Sequence, residues 1–417
     1  MILLRLALKS LRNRWITAVL TVLAAALSVA LFLGVEKIRT GAKASFADTI
    51  SGVDLIVGAR SGGVQLLLYS VFRIGNATNN VTWESYQDIA ALDAVDWAVP
   101  LSLGDSHRGF RVLGTTTEYF DRYRYRAGRS LAFREGRRFE GLFDAVLGAD
   151  VAVALGYGLG DPIIVAHGIA SFTEHDDKPF RVAGILAKTG TPVDRTVHVS
   201  LEAIEAIHID WQSGARDPSR LVTAEAVRDM DLTPKAVTAA MLGMKSRLAT
   251  FRVQRAINEY AEKPLLAILP GVALQELWDL VGVAETALTG VSAMVVAAAL
   301  VGMATMIFAS LNERRREMAI LRAVGARPRT IMALLMTEAA ILSAVGIVAG
   351  AALLYLALAI ARPYVDAAFG LYLPLEPPAL RELLSLAAIF GAGVAVSLLP
   401  ALHAYRLSIA DGMTVRT

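Results

Sequence analysis

His175, Asp176 and Asp177 stand side by side in a chain of 417 residues that has only six histidines. One imidazole and two carboxylates are donors that a divalent cation accepts. They fall in a polar stretch just before Pro179, and that context predicts a solvated loop; no metal ligand is assigned. Ser106-His107 sets a hydroxyl beside an imidazole, but no third group is visible to orient the ring, so the pair is not read as nucleophile and base. The glycines of GYGLGD (Gly156–Asp161) invite comparison with a phosphate-binding loop. They lack the G-x-x-x-x-G-K-[ST] spacing and its lysine, so a turn is expected there. No catalytic residue is assigned, no cofactor is expected in this chain, and a stand-alone enzyme is not the reading.

A denser concentration of charge lies in SLNERRREMAILRAVGARPRT, residues 310 to 330. Six arginines (Arg314, Arg315, Arg316, Arg322, Arg327 and Arg329) sit there between two apolar runs. Glu313 to Val324 has the pattern of a short helix, with Met318, Leu321 and Val324 near one face and Arg315 and Arg322 offset from it. Gly325 is suited to stop it, and Pro328 prevents its continuation. An apolar ridge with an arginine rim fits a groove on a partner protein. An anchor lying on acidic lipid is the other reading, and the Gly-Ala-x-Pro ending argues for the defined shape. The arginine-rich stretch Arg108 to Arg138 could receive an anionic cargo such as a lipid headgroup, but a solvated surface is expected.

The elements that carry these residues belong to a membrane protein. The chain is 55% hydrophobic with a mean hydropathy of +0.50, above the roughly 45–50% apolar share of soluble domains. A net charge of +3 gives no basic excess, and no nucleic-acid partner is expected. With no cysteine, disulfides and thiolate metal sites are excluded. Residues 15–35, 289–311, 331–360 and 382–402 are four apolar runs, each supplying the ~20 residues that cross a bilayer as a helix. The first exceeds the roughly 7–15 residues of a signal-peptide core, and no clean cleavage site follows it.

Basic residues set the orientation. Arg5, Lys9, Arg12 and Arg14 precede the first run, and the arginine cluster follows the second. The short loop 361–381 has only Arg362 and Arg381, at its edges. The positive-inside rule then puts both termini, the loop 312–330 and the tail 403–417 in the cytoplasm, and residues 36–288 and 361–381 outside. Residues 1–14 are expected to form an interfacial helix, with Arg5, Lys9 and Arg12 along one stripe and their charged heads snorkelling to water.

The large outer segment reads as α+β. VDLIVGA, FRVLGTT, PIIVAHG, FRVAGIL and RTVHVSL have the pattern of short strands. TWESYQDIAALD, LGADVAVALG and SLEAIEAI read as helices, with Thr82 and Ser200 as N-caps. From Ala273, Leu274, Leu277, Trp278, Val281 and Leu288 recur at helical spacing with no breaker before the second run, so one helix of nearly 40 residues is expected. The first run extends likewise through Val35, Ile38, Ala42 and Phe46, giving two stalks. The unusual segment Val53–Val81 is expected to be core, with a hairpin touching cargo or lipid as the alternative.

ERRREMAILRAVGARPRTIMALLMTEAAILSAVG resembles the signature of the MacB/FtsX-like permease superfamily, membrane subunits of one class of ATP-binding-cassette (ABC) transporters. LALKSLRNRWITAVLTVLAAALSVAL is similar to that family's N-terminal helix and first span. VLGTTTEYFDRYRYRAGRSL, AVLGADVAVALGYGLGDPI and FRVAGILAKTGTPVDRTVHVSL look like pieces of its periplasmic core domain. LLPALHAYRLSIADGM resembles its C-terminal ending, with Ser408 where a proline is usual.

The resemblance implies four transmembrane helices with a large α+β extracytoplasmic domain inserted between helices 1 and 2. It implies a dimer, here expected to be a homodimer, in a bacterial plasma (inner) membrane. The arginine loop would be the coupling helix that docks on a separate cytoplasmic ABC ATPase holding ATP and Mg. Glu313, Arg316, Glu317, Arg322 and Gly325 match the motif, with Met318 and Leu321 on the ridge and Arg327 and Pro328 just beyond. ATP-driven closing of the ATPases would move the outer domain, a mechanism termed mechanotransmission, for export or for lipid or lipoprotein extraction. A periplasmic partner is compatible with this. The alternative is a non-transporting FtsX-like subunit that activates a cell-wall hydrolase or a signalling partner.

Within the spans, Glu338 is an acid about two turns into the third. Such a charge usually faces protein, and an arginine of the loop, Thr337 or Ser343 would be its partner. Gly346, Gly350, Gly391 and Gly393 allow another helix to approach closely, within the chain or across a dimer.

Overall fold

The computed structural model describes residues 2–126, 128–168, 175–212, 215–216, 222–313, 320, 322–369 and 375–406. The chain divides into two units: residues 1–41, 282–363 and 373–417 in one, and 42–281 with 364–372 in the other.

The first unit is helical. Ile2–Asn13 forms a helix that ends at Arg14, where a new one begins and runs Trp15–Thr49. Two more long helices, Pro270–Glu313 and Pro328–Phe369, are followed by Leu380–Val396 and Leu398–Arg406. Among the described residues, four segments are long and apolar enough to cross a membrane: those starting at Trp15, Pro270 and Pro328, and Leu380–His403. The two expected stalks are each one unbroken helix with their apolar run, of 35 and 44 residues. At 1.5 Å per residue the longer extends ~66 Å, about twice a hydrocarbon core.

Many large apolar side chains on these helices face outward, Leu20, Leu27, Met294, Val348 and Leu356 among them. That pattern suits lipid as solvent, where burial gains nothing for an apolar group already out of water. The inward faces pack as Met303, Ile307, Leu335, Ala339 and Leu342, and as Val29, Leu33, Leu354 and Leu358.

At one end of this unit, Lys37 Nζ meets Glu382 Oε2 at 3.2 Å and donates to the carbonyls of Glu376 and Pro377. The same carboxylate oxygen accepts from the backbone N–H of Ala379 and so caps the last long helix. Arg39 pairs with Glu36 and reaches Glu285 at 4.0 Å, which ties helix Trp15–Thr49 to helix Pro270–Glu313.

The second unit is built on an eleven-stranded sheet: β1 (Leu55–Ala59), β2 (Val95–His107), β3 (Phe110–Thr115), β4 (Phe133–Gly136), β5 (Asp144–Leu147), β6 (Pro162–Ile163), β7 (Ala166–His167), β8 (Phe180–Leu186), β9 (Thr196–Ser200), β10 (Ala239–Met244) and β11 (Leu265–Ile268). The order is β11-β1-β10-β2-β3-β9-β5-β8-β4, with β7 added to β2 and β6 to β8. The pairs β9–β3 and β8–β5 are parallel and the others antiparallel. Strands β2 and β3 are joined by Arg108-Gly109, both at positive φ (46° and 86°), as a two-residue hairpin turn of the primed kind requires.

Helices Trp83–Ala90, Ala149–Leu155 and Leu201–His208 form where the sequence pattern puts them. Thr82 and Ser200 cap the first and last, accepting from Ser85 N and Ala203 N. Of the segment Val53–Val81, residues 55–59 and most of 66–72 are core, whereas 74–80 is mostly exposed. LIVGA is buried on both faces of β1, and helix Gly63–Ser70 lies on it. Gly58 leaves room for that helix: a Cβ there would come within 2.6 Å of Leu66 and 2.8 Å of the Tyr69 hydroxyl, and both side chains would have to shift. PIIVAHG, expected as one strand, forms two short pieces, β6 and β7, on different neighbours.

Candidate functional site

The extra strand β7 sets His167 opposite Asp105 of β2. The chain returns at His175, whose backbone N–H donates to the carbonyl of Val165, 2.9 Å away. His208 ends helix Leu201–His208. Four donors from these segments meet, with one ligand atom of each of Asp105, His167, His175 and His208 within 4.8 Å of all the others. Asp105 Oδ1 lies 3.4 Å from His167 Nδ1 and 3.4 Å from His208 Nε2, and those two nitrogens are 3.1 Å apart. The Trp211 ring stands 4.9 Å from His167, 5.0 Å from His175 and 6.0 Å from His208, centre to centre, as a shared wall.

The expected solvated loop at His175–Asp177 is therefore corrected at His175, while Asp176 is exposed and Asp177 half-buried. His175 is 1% exposed, because the turn folds in over β7 and beneath it Lys178, fully buried, ties down the neighbourhood. The ammonium meets Asp177 Oδ2 at 2.9 Å and both Asp210 oxygens at 3.3 Å.

Charge states in the cluster follow from burial and proximity. Burial opposes a negative Asp105, yet hydrogen bonds and charge from His167 and His208 outweigh it and hold the carboxyl at about 2. Burial and the neighbouring His208 press His175 down to about 4. Burial also works against a charged His208, but the hydrogen bond and charge of Asp105 raise it above the ordinary histidine value.

A carbonyl only accepts, so the 2.8 Å contact of His208 Nδ1 with Ile204 O puts a proton on Nδ1. In the neutral ring, Nε2 then turns its lone pair toward Asp105 and His167. The sequence reading missed this constellation because its members are far apart in the chain. Ligand spacing within one helix or turn is the signal a sequence displays, and here the strand addition and the helix end create the proximity.

The other chemical candidates resolve differently. Ser106 Oγ donates to the Gly168 carbonyl, and His107 bonds the Ile164 carbonyl and the Tyr157 hydroxyl, so neither serves the other. GYGLGD is a turn, with Gly156 and Gly160 at positive φ and Asp161 accepting from Gly158 N. Arginines between 108 and 138 are largely engaged. Arg111 donates to Gly75 O and Asn76, Arg137 pairs with Glu140 and Asp144, and Arg138 pairs with Asp121.

Of the arginine loop, Arg316, Glu317, Met318 and Leu321 lie outside the described residues. Glu313 ends its long helix. Gly325 adopts φ +98°, and its N–H bonds the Arg322 carbonyl, the left-handed stop expected of it. Ile320 and Val324 are 56% and 84% exposed. Pro328 does more than end the loop: it opens the next helix, where its missing N–H costs nothing.

Residues 18–240 match the MacB-like periplasmic core domain, and residues 289–409 match the FtsX-like permease C-terminal family. The chain belongs to the MacB/FtsX-like permease superfamily. The two matches together take in most of the four membrane-length segments and most of the sheet of the second unit, so this is a MacB-like permease of the ABC-transporter family, with helices long and apolar enough to cross a membrane and a periplasmic-type core domain.

Two curated relatives carry the name macrolide export ATP-binding/permease protein MacB. The chain is 26% identical over 97% of its length to the one from Azoarcus sp. (strain BH72), and 23% identical over 83% to the one from Nitrobacter winogradskyi. It spans 58% and 50% of those proteins. Among solved structures it is similar to the periplasmic region of MacB from Actinobacillus actinomycetemcomitans, with 12% identity, TM-score 0.34, and 55% of this chain and 94% of that one covered. It is also similar to the extracellular domain of the noncanonic ABC-type transporter YknZ from Gram-positive bacteria, with 13% identity, TM-score 0.31, and 52% and 98% covered.

Within this permease three of the four glycines pack against helices of the same chain. A Cβ at Gly346 would lie 2.6 Å from Ala25 Cβ, and one at Gly350 would lie 2.6 Å from Ala26 O and 2.8 Å from Val29 Cβ, so both glycines admit the first spanning helix. Gly393 packs on Ser343 and Met303, whereas Gly391 faces open space. Glu338 is 6% exposed. Of the partners expected for it, the two hydroxyls of this chain bond elsewhere, Thr337 Oγ1 to Ala333 O and Ser343 Oγ to Met303 Sδ, while Arg314, Arg315 and Arg316 of the loop lie outside the described residues.

Proposed function

We propose that this chain is a transporter subunit working by mechanotransmission. A separate cytoplasmic ATPase, holding ATP and Mg, docks on the loop between Glu313 and Pro328. Its closing is carried by the long helices to the extracytoplasmic domain, which handles cargo on the outer side, for export or for extraction of a lipid or lipoprotein. Two copies form the working unit in a bacterial plasma membrane, with both termini cytoplasmic and lipid around the spans.

The observation that carries this reading is the pair of unbroken helices, Trp15–Thr49 and Pro270–Glu313. A helix that runs on without a break beyond its apolar run suits transmission of force better than a flexible linker would. The Gly325 stop with the exposed Ile320 and Val324 before it supports the docking role, as does the family match over residues 289–409.

The experiment is purification in mild detergent of wild type, Glu317→Lys and Arg322→Glu, with mass spectrometry of the retained proteins. Retention of a Walker-motif ATPase by wild type and its loss from both variants, with membrane insertion unchanged, is expected. Equal retention by all three would refute the docking assignment.

A further inference from the structure

We propose that Asp105, His167, His175 and His208 form a binding site for a divalent transition-metal cation of the zinc type. The inference stands apart from the transport reading, since it rests on the geometry of the outer unit alone.

Distance is the first argument. A tetrahedral zinc ion with ligands at about 2.0–2.1 Å separates its donor atoms by about 3.3 Å. Asp105 Oδ1, His167 Nδ1 and His208 Nε2 are 3.1 to 3.4 Å apart, which makes one triangular face of that size. His175 supplies the fourth donor within the same 4.8 Å cluster.

Support around the donors is the second. Ligating imidazoles in metal sites usually give their other N–H to a carbonyl or carboxylate, which fixes the ring and its tautomer. The Ile204 carbonyl does this for His208. Trp211 backs all three rings, and the buried Lys178 with Asp177 and Asp210 holds the adjoining chain.

The third argument is His175 itself. Its Nε2 is buried and has no hydrogen-bond partner among the described residues, a condition native interiors rarely leave uncompensated. An ion pair between Asp105 and a charged His208 accounts for two members of the cluster but not for a third, buried imidazole within 4.8 Å of them.

Chemistry narrows the ion. Calcium and magnesium take oxygen ligands, and copper(I) prefers sulfur. Three imidazoles with one carboxylate suit zinc, with cobalt, nickel and copper(II) as competitors in the usual order. The His167 side chain is 45% exposed, so the site opens to solvent on that side and an ion can enter without unfolding.

The test uses the tag-free full chain in detergent, stripped with a chelator and then titrated with zinc chloride against a chromophoric chelator. Metal per chain is counted after gel filtration. Wild type should retain one equivalent, and His167→Ala and His208→Ala should each weaken binding by about 100-fold or more, beyond the loss seen when only a supporting residue is removed. Cobalt chloride should give the wild type the intense visible absorption of a tetrahedral site, and His208→Ala should lack it. If His208→Ala fails to fold, His167→Gln, changed at the most exposed ligand, carries the same reading. Wild type that retains no zinc at micromolar free metal would overturn the proposal. So would a His167→Ala/His208→Ala double variant that retains zinc as wild type does.

Discussion

Replacing Gly350 by alanine tests whether the first and third spanning helices meet as described. The added Cβ would stand 2.6 Å from the Ala26 carbonyl oxygen and 2.8 Å from Val29 Cβ. Favourable contact between carbons lies near 3.5–4.0 Å, so the helices must move apart by roughly 1 Å. A backbone oxygen cannot swing aside as a side-chain tip can. Overpacking of this kind costs about 1–3 kcal/mol, while removing a mid-helix glycine returns up to about 1 kcal/mol of helix propensity. The net expectation for Gly350→Ala is a loss of roughly 1–2 kcal/mol from these two terms.

Gly391 is the internal control. A Cβ there meets nothing within 4 Å, so only the propensity gain applies. Thermal unfolding of the purified proteins in one detergent should rank Gly391→Ala at or above wild type and Gly350→Ala below both. Gly350→Ala as stable as wild type would refute the packing. A change in oligomeric state without loss of stability would put Gly350 at a contact between copies.

Other expectations follow from single sites. With no native cysteine, Gly109→Cys should react with an impermeant thiol reagent in cells whose outer envelope is permeabilised, and Ala326→Cys should be protected; the reverse pattern would invert the topology. His198 is fully buried against Tyr119 and Phe120, and burial with the nearby Arg73 charge lowers it to about 3. Its folded pKa is thus below the unfolded value, so its contribution to stability is present above about pH 6.5 and is lost as pH falls toward 3, by up to about 1.4 kcal/mol per unit. Denaturation of His198→Gln should show a flatter pH dependence in that window, and an unchanged slope would exclude His198 as the source. Lys37→Met leaves the Glu382 carboxylate, 5% exposed, without its cation; a loss of about 3 kcal/mol is expected, partly restored in Lys37→Met/Glu382→Gln, and a neutral single variant would show the pair to be dispensable.

Much of this architecture was legible because membrane-length apolar runs and caps are local signals. The four spans, the caps Thr82 and Ser200, the Gly325 stop and the strands LIVGA, FRVAGIL and TVHVS depend on periodicity and on residues a few positions apart. Strand β2 was not legible. Pro100 interrupts VDWAVPLSLGDSH, and proline ordinarily argues against a central strand, yet β2 pairs with both β10 and β3. The Asp105–His167–His175–His208 cluster was hidden for a related reason. It exists only once β7 is laid on β2 and the end of helix Leu201–His208 is brought beside them, and none of those pairings is written in the spacing of the ligands. The His175–Asp177 tripeptide looked like solvated loop because polarity of a short stretch reports composition, while the burial of His175 depends on the pairing of its N–H with the Val165 carbonyl, which the local pattern does not display.

The central claim is that ATP hydrolysis by a docked partner moves the extracytoplasmic domain. Leu248, 93% exposed in that domain, can be replaced by cysteine and spin-labelled without interference from any native thiol. Distances between the labels of two copies should be measured in nanodiscs with the cognate ATPase, before and after trapping with ATP. The account predicts a shifted distance distribution with ATP that Arg322→Glu abolishes. An unchanged distribution in the wild-type complex, with the ATPase bound and active, would contradict it.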